Sequence, residues 1–272
     1  MTNNQWQNFL LNLGNWEGSF TRFSPQGEEV EDTPTLVTFE ELENGAVRQM
    51  VHRFPKTGDA PPPLVLEYRS VNRGTLFFQT GAFSTGSMQL NTLGDFGAEL
   101  GFISGDRRMR LVELFNACRF SQVTLIREYR QGTNATENPP LTVEQLLGDW
   151  EGEAVTLYPD WRSIDPYPTK LSLRLQGNEL RQQAIAPNLD FTSTATIDRS
   201  ILRFGEGENA VNVILLPDGA SCTVPMVIPR QRSFFLEAGW LINPTLRQRM
   251  IRSYDNYGGW VSTTLVTECK VS

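Results

Sequence analysis

Histidine is almost missing from this sequence: of 272 residues, one, His52, is a histidine. A Ser-His-Asp or Cys-His catalytic site would have to be built on that imidazole, which stands in "MVHRF" with no nucleophile motif beside it. Cysteine is nearly as scarce. Cys118, Cys222 and Cys269 are odd in number and far apart, which gives neither a disulfide framework nor a zinc knuckle and fits a reducing compartment. Transition-metal sites recruit several His or Cys groups, so no metal site is expected. No apolar run approaches the roughly 20 residues that cross a bilayer. The opening "MTNNQWQNFL" lacks the basic start and apolar core of a signal peptide, so the expectation is a soluble, cytoplasmic protein. Positive charge is in deficit, with 24 Lys and Arg against 31 Asp and Glu and a net charge of −7. A duplex-binding surface must be basic enough to displace counterions from phosphates, so nucleic acid is not an expected partner. A phosphate loop is missing too: "GEGENA" (Gly205 to Ala210) has the glycines of a turn but neither lysine nor following helix.

What the chain does contain, it contains twice. "LGNWEGSF" from Leu13 and "LGDWEGEA" from Leu147 repeat Gly-x-Trp-Glu-Gly, with Trp16 and Trp150 separated by 134 positions, about half the chain. A short helix precedes each copy. Thr2 and Gln5, and again Thr142 and Gln145, have capping-box spacing, in which hydroxyl and amide satisfy open backbone N–H groups. Asn44-Gly45 and Gly177-Asn178 sit between extended runs as hairpin turns, and Leu171, Leu173 and Leu175 alternate with polar residues. Late in each half, Glu99, Gly101 and Phe102 align with Glu237, Gly239 and Trp240. Arg108 and Arg110 align with Arg247 and Arg249, and Glu128 with Glu268. Period-two runs with frequent turns and little helix signal predict an all-β fold of two tandem antiparallel barrels. The predicted division is residues 1–132, a linker over 133–140, and 141–272, the linker being polar and ending in a double proline.

A leading helix, Gly-x-Trp on the first strand, a meander of strands and a late arginine together resemble the calycin (lipocalin-like) superfamily. More closely, the whole chain resembles a cyanobacterial and plastid family of two-barrel calycins of unknown or accessory function. Its C-terminal half, around "LPDG" and "EAGWLINPTLRQRMIRSYDNYGGW", is similar to the chloroplast biogenesis factor required for ATP synthase. That resemblance implies a non-enzymatic factor that binds protein subunits under assembly. "NPTLRQR" (Asn243 to Arg249) is also similar to a stretch of the phycobiliprotein lyases, single-barrel calycins that carry a linear tetrapyrrole; the first half has "SGDRRMR" instead. This second resemblance implies the alternative of a carrier for a small amphipathic ligand, a bilin or a fatty acid; no other cofactor is expected.

The arginine pairs are the most informative polar feature. Residues i and i+2 share a face of a strand, so Arg108, Arg110 and Val112 would point one way, as would Arg247, Arg249 and Ile251. Two readings follow if that face is interior. In one, the guanidinium groups grip a ligand carboxylate. In the other, Arg110 and Arg249 stack on Trp16 and Trp150 and pair with Glu99 and Glu237, closing the barrel. A candidate partner surface lies in "YPDWRSIDPYP", where Tyr158, Trp161, Arg162 and Tyr167 combine aromatics with an arginine in a proline-rich loop. Its alternative is a loop folded over its own barrel.

Overall fold

The computed structural model describes residues 4–271, apart from the side chain of Glu208. The first half runs through α1 (Gln5–Leu10), β1 (Gly14–Phe23), β2 (Glu29–Glu41), β3 (Val47–Arg53), β4 (Leu64–Tyr68), β5 (Thr75–Phe77), β6 (Phe83–Gly86), β7 (Asp95–Ser104), β8 (Arg107–Asn116) and β9 (Arg119–Arg130). The second runs through α2 (Val143–Leu146), β10 (Gly148–Leu157), β11 (Tyr167–Gln176), β12 (Glu179–Ala186), β13 (Leu189–Asp198), β14 (Ile201–Phe204), β15 (Val211–Leu215), β16 (Ala220–Pro225), β17 (Phe234–Asn243), β18 (Leu246–Tyr254) and β19 (Trp260–Val271). No helix among the described residues is long and apolar enough to cross a membrane.

The repeated Gly-x-Trp-Glu-Gly has a physical reason at each position. Gly14 and Gly148 take φ of +123° and +120°, which side chains rarely adopt, as the chain turns from helix to strand. Trp16 and Trp150 are buried, and each indole N–H donates 2.9 Å to a carbonyl four residues back, of Asn12 and Leu146. A Cβ on Gly18 would lie 1.8 Å from the Arg127 carbonyl oxygen, and one on Gly152 2.4 Å from that of Thr267. The glycines thus let the first and last strands of each half cross closely. Gln145 Oε1 accepts from Thr142 N–H at 2.8 Å, as the capping spacing predicts. The first proposed capping residue, Thr2, lies outside the described residues; within them, Asn4 caps α1 by accepting from Gln7 N–H at 3.3 Å.

All strand pairs are antiparallel, and the two halves differ in closure. The second is a closed barrel of ten strands, more than the eight or so of the simplest barrel, sealed by β10 pairing with β19. The first is a curled nine-stranded sheet in the order β4-β3-β2-β1-β9-β8-β7-β6-β5, open between β4 and β5. Its seam has local causes. Pro61, Pro62 and Pro63 lead into β4 and have no backbone N–H to offer a neighbour. Strand β5 spans three residues, and its outer edge is taken by a side chain: Gln5 accepts from Phe77 N–H at 2.7 Å and donates to Phe77 O at 2.9 Å. A primary amide therefore stands where a further strand would pair.

The halves pack back to back through one shared core. Phe96, Ala98, Leu100 and Phe102 of β7 and Met109, Leu111 and Phe115 of β8 join Cys222, Val224, Leu236, Ala238, Trp240 and Met250. Residues that the sequence alignment equates meet across it: Phe96 and Phe234 at 5.8 Å, Phe102 and Trp240 at 6.4 Å between ring centroids. Such self-matching contact is the pattern of an isologous dimer, here within one chain. Buried Arg252 clamps the junction between the halves, donating to Ser84 Oγ at 3.0 Å and to the Ser87 carbonyl at 3.2 Å, with its guanidinium 3.7 Å from the Trp260 ring.

Candidate functional site

Alternation on β8 sends Arg107, Met109 and Leu111 outward and Arg108 and Arg110 into the first half's interior. Register then fixes their company: Arg108 lies opposite Glu128 of β9, and Arg110 opposite Gly101 of β7 and Ile126 of β9. Arg108 Nε donates to Glu128 at 2.7 Å. Arg110 donates to Glu128 at 2.9 and 3.1 Å and to Glu99 at 2.6 Å. Burial pulls the Arg108 guanidinium below its ordinary pKa despite Glu128. For Arg110 burial acts the same way, but Glu128 and Glu99 together outweigh it and raise it. Burial alone would raise the Glu128 carboxyl, and the two arginines overcome that and hold it down.

The second half repeats the arrangement in a looser form. Glu268 accepts from Arg249 at 3.1 and 3.2 Å and pairs with Arg247 at 3.4 Å; Glu237 lies 3.5 Å from Arg249. Burial lowers Arg247, whereas Glu268 and Glu237 overcome burial at Arg249 and raise it. The cations over the indoles are not the pair expected. Trp16 carries Arg130 at 4.4 Å and Arg108 at 4.6 Å, and Trp150 carries Lys270 at 4.9 Å. Strand register explains this: Trp16 pairs with Arg130 and Trp150 with Lys270, while Phe20 and Arg110 both lie opposite Ile126, which sets Arg110 over Phe20 at 5.5 Å.

The network borders a cavity of about 150 Å³ beside the open seam. Phe9, Phe39, Tyr68, Phe77 and Phe83 supply rings to its wall, and Glu99, Arg110, Gln49 and Asn12 supply polar groups. Burial, then the Glu99 charge, raise the Tyr68 phenol, which donates to Gln49 at 2.7 Å. Arg247, Arg249 and Glu237 do not line this cavity.

Of the candidate partner residues, three come together. Tyr158 N–H donates to Arg162 O at 3.0 Å and Trp161 N–H to Tyr158 O at 2.8 Å, closing a tight turn after β10. Trp161 sits at φ +69°, in the left-handed region that bulky residues avoid, with 44% of its surface exposed. Arg162 lies 4.4 Å over the Tyr158 ring and pairs with Asp160 at 3.0 Å. Tyr167 is apart, on β11, with its hydroxyl 3.3 Å from Thr156 Oγ1. His52 lies on β3, its ring stacked at 6.5 Å on Phe54.

Glu99 and Glu237 were the counter-ions expected from the sequence; Glu128 and Glu268, each of which contacts both arginines of its half, were not. Their signal was present: both occupy matching places in the closing strands "LIREYR" and "LVTECK". A second miss is Glu113, wholly buried between the halves, where Cys222 Sγ donates to it at 3.3 Å.

Comparison with known proteins agrees with this two-part architecture. Residues 137–271 match the family model for the C-terminal domain of biogenesis factor required for ATP synthase 1, and residues 2–133 match the N-terminal domain model of DUF3598, a domain of unknown function. No curated protein sequence matches the chain. An S-type phycobiliprotein lyase from Guillardia theta is 10% identical over 48% of this chain and 90% of its own, with a TM-score of 0.39. A DUF3598 protein of unknown function from Nostoc punctiforme PCC 73102, solved by crystallography, is 47% identical over 98% of this chain and 99% of its own, with a TM-score of 0.92. On that likeness across its whole length, the chain belongs to the DUF3598 family.

Proposed function

We propose that this chain is a non-catalytic binding factor that assists the assembly of soluble ATP synthase subunits in a photosynthetic organism. The observation that carries this reading is the match of residues 137–271 to the domain of a biogenesis factor required for ATP synthase. The interior chemistry is consistent with it. Glu128 and Glu268 occupy the arginines that would otherwise hold a ligand carboxylate, so recognition falls to outer loops. The turn bearing Tyr158, Trp161 and Arg162 fits that role, because an exposed indole beside an arginine has the composition of interface hot spots. Cytoplasmic action, expected from the sequence, belongs to this reading. Affinity capture from a cyanobacterial lysate tests it: soluble synthase subunits should be recovered by the wild type and depleted with Trp161→Ala. Their absence from the wild-type capture under stabilising conditions would count against the proposal.

A second reading, a carrier of a bilin or a fatty acid, is favoured by the cavity at Glu99 and Arg110. It stands second on size and occupancy. The volume of about 150 Å³ is below the roughly 300 Å³ at which pockets for drug-sized ligands begin. Every nitrogen of Arg110 already donates to a carboxylate.

A further inference from the structure

The open seam of the first half has two edges, and they are finished differently. On one side the Gln5 amide pairs with both backbone groups of Phe77 and closes the edge of β5. On the other, β4 pairs with β3 alone, from Val47↔Tyr68 to Val51↔Leu64, and among the described residues no further backbone hydrogen bond reaches it. In an antiparallel ladder every second residue turns its N–H and C=O away from the neighbour, so β4 presents open donors and acceptors along the seam. Such edges are ordinarily protected by charge, proline or a bulge. Strand β4 carries one charge, Glu67, which Arg48 neutralises at 3.0 Å. Its prolines, Pro61 to Pro63, stop short of it, and its pairing with β3 runs without a register shift.

The side chains of β4 are as open as its backbone. Leu64 and Leu66 lie opposite Val51 and Gln49 and share their interior-facing side, yet they are 49% and 38% exposed. Val65, on the other side of the strand, is 49% exposed. Apolar burial and backbone pairing are gained together here when another extended chain lies alongside. Charge narrows the choice of chain. A net charge of −7 on each molecule opposes a second copy, whereas a neutral or basic segment is not repelled. We propose that β4 is a strand-addition site, pairing antiparallel along its free edge with an extended, neutral or basic segment of a partner polypeptide. Alternate apolar side chains of that segment would continue the row begun by Leu64 and Leu66. The site is separate from the turn at Trp161 and does not require the partner to be a synthase subunit.

Fluorescence anisotropy with a labelled peptide of alternating valine and threonine, flanked by lysines, tests this. The peptide should bind saturably, and hydrogen exchange should show slowed amides in residues 64–68 and not in 75–77. Two further peptides, N-methylated on the valines or on the threonines, separate strand addition from hydrophobic adhesion. One of the two should lose about tenfold or more in affinity and the other should keep it, because one set of amides faces β4 and the other faces away. Leu64→Asn should weaken the parent peptide about 3- to 10-fold, as loss of a half-buried leucine contact provides. Phe191→Asn, at an equally exposed position (50%) in the second half, should leave binding unchanged. The methylated pair is read on the wild type, so the test does not hang on the fold of any variant. The proposal is overturned if the parent peptide fails to bind, if the two methylated peptides bind alike, or if protection appears away from β4. It is overturned equally if the protein alone sediments as a dimer that Leu64→Asn makes monomeric, which would give the edge to a second copy.

Discussion

Replacing Glu128 by glutamine is the sharpest perturbation of the buried charge network. The change keeps the side chain's shape and removes the charge that Arg108 and Arg110 share at 2.7, 2.9 and 3.1 Å. Arg110 would retain Glu99, but Arg108 would retain no carboxylate, and it is 1% exposed with Nη2 already lacking a partner. Removing one member of a buried ion pair costs about 3–5 kcal/mol, because the other charge remains out of water. At about 1.36 kcal/mol per factor of ten, that is a loss of some hundreds- to thousands-fold in the folding equilibrium. Glu99→Gln supplies the contrast. Its side chain is 24% exposed, so water can replace part of the interaction, and about 1 kcal/mol is expected. Urea unfolding followed by tryptophan fluorescence measures both, and Arg108→Met added to Glu128→Gln should recover part of the loss. A Glu128→Gln cost under about 1 kcal/mol, or one no larger than that of Glu99→Gln, would refute the reasoning.

Other expectations follow from the same geometry. Gly18→Ala should lower the melting temperature severely or prevent folding, since its Cβ would sit 1.8 Å from a backbone oxygen. Gly105→Ala, at φ +56° with nothing within 4 Å, should cost about 1 kcal/mol in the same thermal scan. Burial raises the Glu113 carboxyl well above the ordinary 4.5; the hydrogen bond from the Cys222 thiol opposes that rise without cancelling it, and the Glu237 charge adds a smaller push upward. The folded state thus holds a proton that the unfolded state releases, so this contribution to stability is full below about pH 4.5 and is lost as pH rises through the folded pKa. Urea midpoints measured from about pH 5 to about pH 8 should fall for the wild type and stay flatter for Glu113→Gln; parallel curves would contradict the assignment. Trp161→Ala should weaken partner binding by about 30-fold, a hot-spot loss of about 2 kcal/mol, while leaving the melting temperature within a degree or two. Calorimetric titration against the captured subunit reads this directly.

Local structure was the most legible part of the sequence. Asn44-Gly45 and Gly177-Asn178 mark the hairpins between β2 and β3 and between β11 and β12, because a turn with positive φ leaves few choices of residue. The alternation that sends Arg108 and Arg110 inward was equally readable, since a strand's period is fixed. What could not be read was anything set by register between distant strands. Glu128 becomes the shared counter-ion because β9 lies beside β8, and Lys270 reaches Trp150 because β19 returns beside β10. The open seam was hidden for a related reason: it depends on Gln5, in the first helix, satisfying Phe77, 72 residues later. The inter-half core was masked by composition, because outward-facing Phe96, Leu100 and Met109 look like any barrel interior until the second barrel is laid against them.

The most direct test of assembly-factor function is titration of purified soluble ATP synthase subunits, one at a time, into this protein by isothermal calorimetry. An assembly factor of this kind should form a saturable complex with at least one subunit, of micromolar affinity or about −8 kcal/mol, that is weakened by Trp161→Ala. No heat of binding with any of them at about 50 µM protein would contradict it.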